Sequence, residues 1–177
     1  RGRDGRHGVV GATLTVRGGR SDDLGWPSVD DLDHVQSASS HVVAHPFDDR
    51  VLLGTHRARN HGATAAVSAG RVGRQQACLD GASVVVESRL MDHEDPAANS
   101  NLHFTLWDAA DAVRGLRREG HTVFLHCVAA EQRTPSIAIA YAVLLGKDIG
   151  VARDAVRNAL PSTRAHGRVW DAVADLE

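Results

Sequence analysis

Short apolar runs separated by turn-forming residues predict the strands of this chain, beginning near residue 41. The segments HVVAH and RVLLG, at 41–45 and 50–54, are joined by a four-residue link that contains Pro46. This spacing predicts a β-hairpin. Further strands are predicted at 63–70, 82–88 and 121–126, and the last of these, HTVFLH, has the continuous apolar composition of a buried central strand.

Segments with helical periodicity alternate with these predicted strands. From about Leu102 to Glu119 apolar residues recur every three to four positions, Ser100 or Asn101 can cap the first turn, and Gly120 can end the helix. Because strands interleave with helices, the pattern predicts an α/β fold. Further helices are predicted from Pro135 to about Leu145, at 150–160 and at 167–176, the last two separated by Pro161.

The beginning of the chain has neither period. Residues 1–40 are rich in Gly, Arg, Asp and Ser and contain the turn-like stretch GWPSVDDLD. We therefore expect an extension or arm over 1–40, followed by a single domain that occupies 41–177.

Composition narrows the class of protein. The 177 residues carry a net charge of −2 and 42% hydrophobic residues, without the basic clusters and interleaved aromatics of a nucleic-acid interface. The longest apolar run, 137–145, is too short to span a bilayer, and no signal peptide opens the chain. We expect a cytoplasmic protein without nucleic-acid or membrane partners, and two cysteines cannot supply a disulfide framework.

The strongest chemical signal lies between the strand at 121–126 and the helix that follows it. Here His126 and Cys127 are followed by five residues and then by Arg133 and Thr134. A tight turn before a helix directs backbone N–H groups inward, where they can hold a phosphate dianion. The helix dipole and Arg133 both favour a thiolate, and the planar guanidinium can contact two phosphate oxygens. This arrangement is typical of an activated nucleophile beside an oxyanion site.

The same residues resemble the His-Cys-x5-Arg-Ser/Thr signature of the protein tyrosine phosphatase superfamily. The dual-specificity branch is the most similar, because the signature lies late in a compact domain. The resemblance implies a central mixed sheet of four to five strands flanked by helices. It also implies a phosphatase that needs no metal or cofactor and acts on phosphorylated Tyr, Ser or Thr in proteins, or on another phosphomonoester. The sequence leaves the oligomeric state open.

The resemblance also implies a role for each residue of the motif. Cys127 would attack phosphorus and form a phosphocysteine, and Thr134 would donate its hydroxyl to the sulfur as it departs. His126 would orient the loop and tune the thiol. The phosphate would be bound by the backbone and side chains of Val128, Ala129, Ala130, Glu131, Gln132 and Arg133.

A phosphatase of this kind also needs a general acid, an Asp on an upstream loop that protonates the leaving oxygen. The segment MDHEDP offers Asp92 and Asp95, which precede Cys127 by 35 and 32 residues. The shorter spacing is more usual in the dual-specificity branch, but the local pattern favours Asp92, which follows an apolar pair and precedes Pro96. Either carboxylate could instead cap a turn.

Two residues of the loop depart from the family's pattern. Ala130 stands where these phosphatases usually carry Gly, so we expect a different loop path or some backbone strain. Glu131 introduces a carboxylate into a loop that should attract anions, and it would repel phosphate if it pointed inward.

The other candidates have bland interpretations. Cys78 lacks a comparable setting, so we interpret it as structural. His41 and His45 share one face of a predicted strand, but the eleven histidines show no metal-binding spacing, and we interpret them as surface residues. Arg71 and Arg74 either line the pocket entrance or belong to a solvated loop.

Two alternative functions remain at this point. The departures at Ala130 and Glu131 favour a catalytically weak relative that binds phosphate as a regulatory module. A rhodanese-type sulfurtransferase also uses a loop cysteine at a helix start, although rhodanese loops usually lack the five-residue gap that ends in Arg-Ser/Thr.

Overall fold

A computed structural model describes residues 40–70 and 77–176. The interpretation of 1–39 as an extension, and the candidate pair Arg71 and Arg74, therefore lie outside the described residues. Within the described ranges, no helix has both the length and the apolar character that a membrane span requires.

Five strands form one mixed sheet, which confirms the expected α/β architecture. The order is β1-β2-β5-β3-β4, with β1 antiparallel to β2 in the predicted hairpin and the remaining neighbours parallel. The strands are β1 (Val42–His45), β2 (Asp48–Thr55), β3 (Ala65–Ser68), β4 (Val84–Glu87) and β5 (Val123–Cys127).

Strand β5 lies in the middle of the sheet, and all of its residues are buried. Alternation along the strand directs Phe124 and His126 to one face and Leu125 and Cys127 to the other. The register places Thr55 of β2 beside Cys127. Because parallel strands end at the same edge of a sheet, the segments that follow β2, β3 and β5 meet around Cys127.

Helix α1 (Leu102–Arg118) buries the apolar stripe that the sequence predicts and packs against the helix after β5. Asn101 occupies the N-cap position, although its side chain makes no capping hydrogen bond. Gly120 follows the helix with a φ of 91°, a left-handed conformation that glycine adopts without a steric penalty.

Helix α2 (Arg133–Leu144) begins two residues before Pro135, so the predicted start at the proline was wrong. Proline is tolerated in the first turn because its missing N–H would have no acceptor within the helix. The helix therefore begins directly after the turn that follows Cys127. Beyond it lie α3 (Ile149–Ala159), capped by Asp148, and α4 (Arg168–Asp171), which continues as a 3-10 helix at Ala172–Asp175.

His45 is buried, so its interpretation as a surface histidine was wrong. Its Nδ1 accepts a hydrogen bond from the Phe47 amide at 3.2 Å, and its Nε2 lies 3.0 Å from the carbonyl oxygen of Ala138. These partners define a neutral ring with its proton on Nε2, and burial is the main cause of the lowered pKa of His45. The strand period alone could not show that His45 packs on the core.

Candidate active site

Residues 127–133, which we call the cradle, form a tight turn between β5 and α2. The backbone N–H of Ala130 donates a hydrogen bond to Cys127 Sγ at 3.2 Å, and Cys127 is 2% exposed. Arg133 then begins α2. The sulfur therefore lies beneath an inward-facing amide at the positive end of a helix, an environment suited to a bound oxyanion.

Arg133 is held by backbone carbonyl groups from outside the cradle. Its Nη1 lies 3.4 Å from two carbonyl oxygens, that of Ala69 after β3 and that of Leu90 after β4. A side chain at Gly70 would approach the same Nη1 to 3.0 Å, which explains why a glycine suits this position. The guanidinium thus contacts the backbone segments that follow β3 and β4.

Buried polar groups near Arg133 retain unused hydrogen-bonding capacity. Among the residues that the structure describes, Arg133 Nε, Thr134 Oγ1 and Gln132 Oε1 are buried and have no hydrogen-bond partner. Buried polar atoms are normally satisfied, and exceptions are frequent at functional sites. The cradle therefore has donors available for a polar ligand, and the hydroxyl of Thr134 remains free to serve one.

His126 lies under the cradle on the opposite face of β5 from the sulfur. Its ring is fully buried and stacks on Phe124, with 5.0 Å between ring centroids and 11° between ring planes. Burial, with smaller effects from neighbouring His56, His61 and Arg133, lowers the pKa of His126 to about 4. The imidazole directly before the nucleophile is therefore neutral at neutral pH.

Ala130 adopts a φ of 56°, in the left-handed region that disfavours a side chain. The turn thus keeps the geometry for which glycine is suited and accepts strain at an alanine. The hydroxyl of Ser162, in the segment between α3 and α4, donates to the Ala130 carbonyl oxygen at 3.1 Å. This contact from outside the cradle helps to hold the strained residue in place.

The loop that carries both candidate acids is anchored at its beginning. Leu90 is completely buried, and the next residue, Met91, exchanges two backbone hydrogen bonds with the side chain of Asn99, at 2.9 and 2.6 Å. The backbone directly before Asp92 is therefore held in place. Asp95 lies further along and is the N-cap of the 3-10 helix Pro96–Asn99, where it accepts a hydrogen bond from Ala97 N at 2.9 Å.

Asp92 is connected to the cradle through one arginine. Arg164 Nη2 lies 3.5 Å from Asp92 Oδ2, and Arg164 Nε lies 2.7 Å from Glu131 Oε2. The backbone amide of Arg164 also donates to the Glu131 carbonyl oxygen at 2.9 Å. The Glu131 carboxylate is therefore neutralised by a counter-ion outside the turn, and the described contacts join Asp92, but not Asp95, to the cradle.

Cys78 belongs to a different part of the core. It packs with Phe124 and Ala66 on the face of the sheet opposite Cys127, and neither cysteine forms a disulfide. Burial is the main cause that raises the pKa of Cys78 to about 11, so its thiol is unreactive at neutral pH. These contacts fit the structural role expected from the sequence.

Several residues that touch the site carry no sequence motif, among them Asn99, Ser162 and Arg164. Each acts through a contact that is distant along the chain. A carboxylate in an anion-binding turn does call for a counter-charge, so Glu131 was the available signal. Nothing in the sequence singles out Arg164 among the many arginines that could supply it.

Comparison with solved structures identifies the fold as that of the protein tyrosine and dual-specificity phosphatases. Human DUSP28 superposes with a TM-score of 0.63 at 20% identity, over 77% of this chain and 92% of that one. A mouse dual specificity phosphatase in complex with zinc tungstate gives a TM-score of 0.62 at 20% identity, over 80% and 89% of the two chains.

A third similar structure is that of the human tyrosine phosphatase-like serine/threonine/tyrosine-interacting protein. It superposes with a TM-score of 0.54 at 15% identity, over 71% of this chain and 89% of that one. No protein-family model matches the sequence. No curated protein matches it either.

Proposed function

We propose that this protein is a phosphatase that hydrolyses phosphate monoesters through a phosphocysteine on Cys127. The observation that carries the proposal is the hydrogen bond from Ala130 N to Cys127 Sγ, in a turn that ends at Arg133 and the start of a helix. A thiolate and a phosphoryl group both carry negative charge, and inward amides with a guanidinium stabilise both. The similarity of the fold to dual-specificity phosphatases supports the same reaction.

In the first step, the Cys127 thiolate attacks phosphorus in line with the ester oxygen. The S–P bond forms as the P–O ester bond breaks, and the departing oxygen takes the electron pair and a proton from Asp92. In the second step, water attacks phosphorus while Asp92 accepts a proton from it. The S–P bond breaks, Thr134 donates a hydrogen bond to the departing sulfur, and inorganic phosphate is released.

Asp92 is the better candidate for the general acid on the basis of its contacts. It follows a base fixed by Leu90 and Asn99, and Arg164 links it to the cradle. The carboxylate of Asp95 instead caps a 3-10 helix. A carboxylate used as an N-cap would leave an unsatisfied amide if it moved to a substrate.

The proposed substrates are phosphorylated Tyr, Ser or Thr side chains of proteins, in line with the dual-specificity enzymes of similar fold. The reaction as written requires no metal and no cofactor, because the cradle, Arg133 and Asp92 supply the charge stabilisation and the proton. The cradle recognises the phosphoryl group that all these esters share.

Turnover of p-nitrophenyl phosphate in the presence of a chelator tests this proposal. Cys127→Ser should abolish turnover, and Asp92→Asn should lower kcat by about tenfold or more, because hydrolysis of the phosphocysteine loses its base and acid–base catalysis contributes roughly 10²–10⁴-fold. Asp95→Asn is the matched control and should have little effect. If Asp95→Asn were the more damaging change, the acid assignment would be wrong.

A second candidate function is a phosphate-binding regulatory module of the same fold. The strain at Ala130 and the carboxylate of Glu131 favour it, and one structural relative is described only as phosphatase-like. Oxyanion binding without turnover in the parent protein would support this candidate. Persulfide formation from thiosulfate would instead support a sulfurtransferase.

A further inference from the structure

The segment between α3 and α4 forms one side of the proposed active site. Ser162 contacts the Ala130 carbonyl oxygen, and Arg164 contacts Glu131 through both its backbone amide and its side chain. The same guanidinium reaches Asp92 on the acid loop. Arg164 therefore contacts two separate parts of the site, neither of which is its neighbour along the chain.

We infer that Arg164 is a positioning residue, which fixes Asp92 relative to the cradle by binding both Asp92 and Glu131. The inference rests on the proposed function, in which Asp92 is the general acid. Proton transfer to the leaving oxygen requires the carboxyl group within hydrogen-bond reach of that oxygen. A guanidinium anchored on the cradle holds the acid loop at a defined distance from the phosphoryl group.

The charges explain why Glu131 is compatible with an anion-binding turn. Its carboxylate lies 2.7 Å from Arg164 Nε, so its negative charge is compensated at the outer side of the cradle. A second guanidinium nitrogen, Nη2, lies 3.5 Å from Asp92 Oδ2. Glu131 and Arg164 therefore act as a pair: the glutamate fixes the arginine, and the arginine fixes the acid.

Because these side chains are partly exposed, we infer that their ion pairs position Asp92 and do not stabilise the fold. The side chains of Arg164, Glu131 and Asp92 are 48%, 37% and 28% exposed. Ion pairs this open to solvent contribute little to the stability of a fold. Moreover, the backbone hydrogen bond from Arg164 N to the Glu131 carbonyl oxygen does not involve the guanidinium. Arg164→Ala should consequently remove the link to Asp92 while leaving the fold intact.

The dependence of rate on the leaving group measures this role. The parameter kcat/KM reports the steps up to phosphocysteine formation, in which the acid protonates the leaving oxygen. Phenyl phosphate, with a basic leaving group, depends on that proton far more than p-nitrophenyl phosphate does. We expect Arg164→Ala to lower kcat/KM about tenfold for phenyl phosphate and less than about threefold for p-nitrophenyl phosphate, as partial loss of acid catalysis would.

Four further variants complete the test. In an Asp92→Asn background, Arg164→Ala should cause no additional change in the ratio of the two rates. Glu131→Gln should change the ratio in the same direction, and Arg164→Lys should restore part of it. Arg157→Ala is the matched control, because Arg157 forms an exposed ion pair with Asp154 on α3; it should leave the ratio unchanged.

The possible failures are distinguishable. A parent protein without turnover contradicts the proposed function, and this inference with it. If the parent is active and Asp92→Asn is impaired, an Arg164→Ala variant that loses both substrates equally, or neither, overturns this inference alone. Should Arg164→Ala fail to fold, Arg164→Lys and Glu131→Gln provide the same ratio and decide the question.

Discussion

Ala130 is the residue at which the cradle departs furthest from relaxed backbone geometry. Its φ of 56° points to a conformation that costs a non-glycine residue about 1–2 kcal/mol. The neighbouring Ala129 does not have a positive φ. Two adjacent alanines of the same turn therefore differ in what a glycine substitution would do.

We predict that Ala130→Gly raises the free energy of unfolding by about 0.5–1 kcal/mol, because relief of strain outweighs the added freedom of the unfolded chain. Ala129→Gly should lower it by about 0.5–1 kcal/mol, since only the entropic term applies there. Urea denaturation of both variants measures the difference. Equal destabilisation by the two substitutions would contradict the assignment of strain to Ala130.

Among individual residues, the sequence revealed those that lie close together along the chain. Cys127, Arg133 and the suspect positions Ala130 and Glu131 all lie within one short turn, so their spacing along the chain determines their arrangement. Arg164 could not be found in this way. Its partners lie 33 and 72 residues away, and their approach depends on how α3 and the following segment pack.

At the scale of secondary-structure elements, Asp48 ties the β1–β2 hairpin to two helices. Its carboxylate accepts hydrogen bonds from Arg117 of α1, at 2.8 and 3.1 Å, and from the hydroxyl of Tyr141 of α2, at 2.8 Å. Burial alone would raise the pKa of Asp48, but the bonds from Arg117 and Tyr141 outweigh it and lower the pKa. The network fixes the start of β2 against the helical layer.

We predict that Tyr141→Phe lowers the free energy of unfolding by about 1–3 kcal/mol, because it removes a donor to a largely buried carboxylate. Arg157→Ala, which disrupts an exposed ion pair, should change it by less than about 0.5 kcal/mol. Equilibrium urea unfolding distinguishes the two. A Tyr141→Phe variant as stable as the Arg157→Ala control would show that the network contributes little.

Element types followed from periodicity, whereas their ends and orientation depended on tertiary contacts. The strand at 121–126 was recognised as central because its apolar run is continuous, and β5 is central. The start of α2 was misjudged because proline is acceptable anywhere in the first turn. His45 was misjudged because alternation shows which residues share a face, but not which face meets the core.

At the scale of the whole molecule, two buried neutral histidines make stability depend on pH. Burial lowers the pKa of His126 to about 4 and lowers that of His45. The unfolded chain binds protons at these sites near pH 6.5, above the folded values, so the unfolding free energy falls as the pH drops below 6.5. The lowered pKa of Asp48 acts only at more acid pH, below its ordinary value of 3.8.

We predict that His126 alone reduces the unfolding free energy by on the order of 3 kcal/mol between pH 7 and pH 4. Urea unfolding of the parent and of His126→Gln across this range isolates the contribution, since the variant should show a correspondingly flatter dependence. Parallel curves for the two proteins would mean that His126 is not buried in its neutral form.

The proposed reaction depends on attack by the Cys127 sulfur on a phosphoryl group bound in the cradle. Acid-quenched mixtures of the Asp92→Asn variant with p-nitrophenyl phosphate, followed by mass spectrometry of the intact and digested protein, test it directly. The p-nitrophenolate leaving group needs little protonation, so the phosphocysteine still forms in this variant. Its hydrolysis is slow, because Asp92 is no longer present as the base. We therefore predict a phosphoryl adduct on Cys127 that Cys127→Ser abolishes. An unmodified sulfur during turnover, or a phosphoryl group on another side chain, would contradict it.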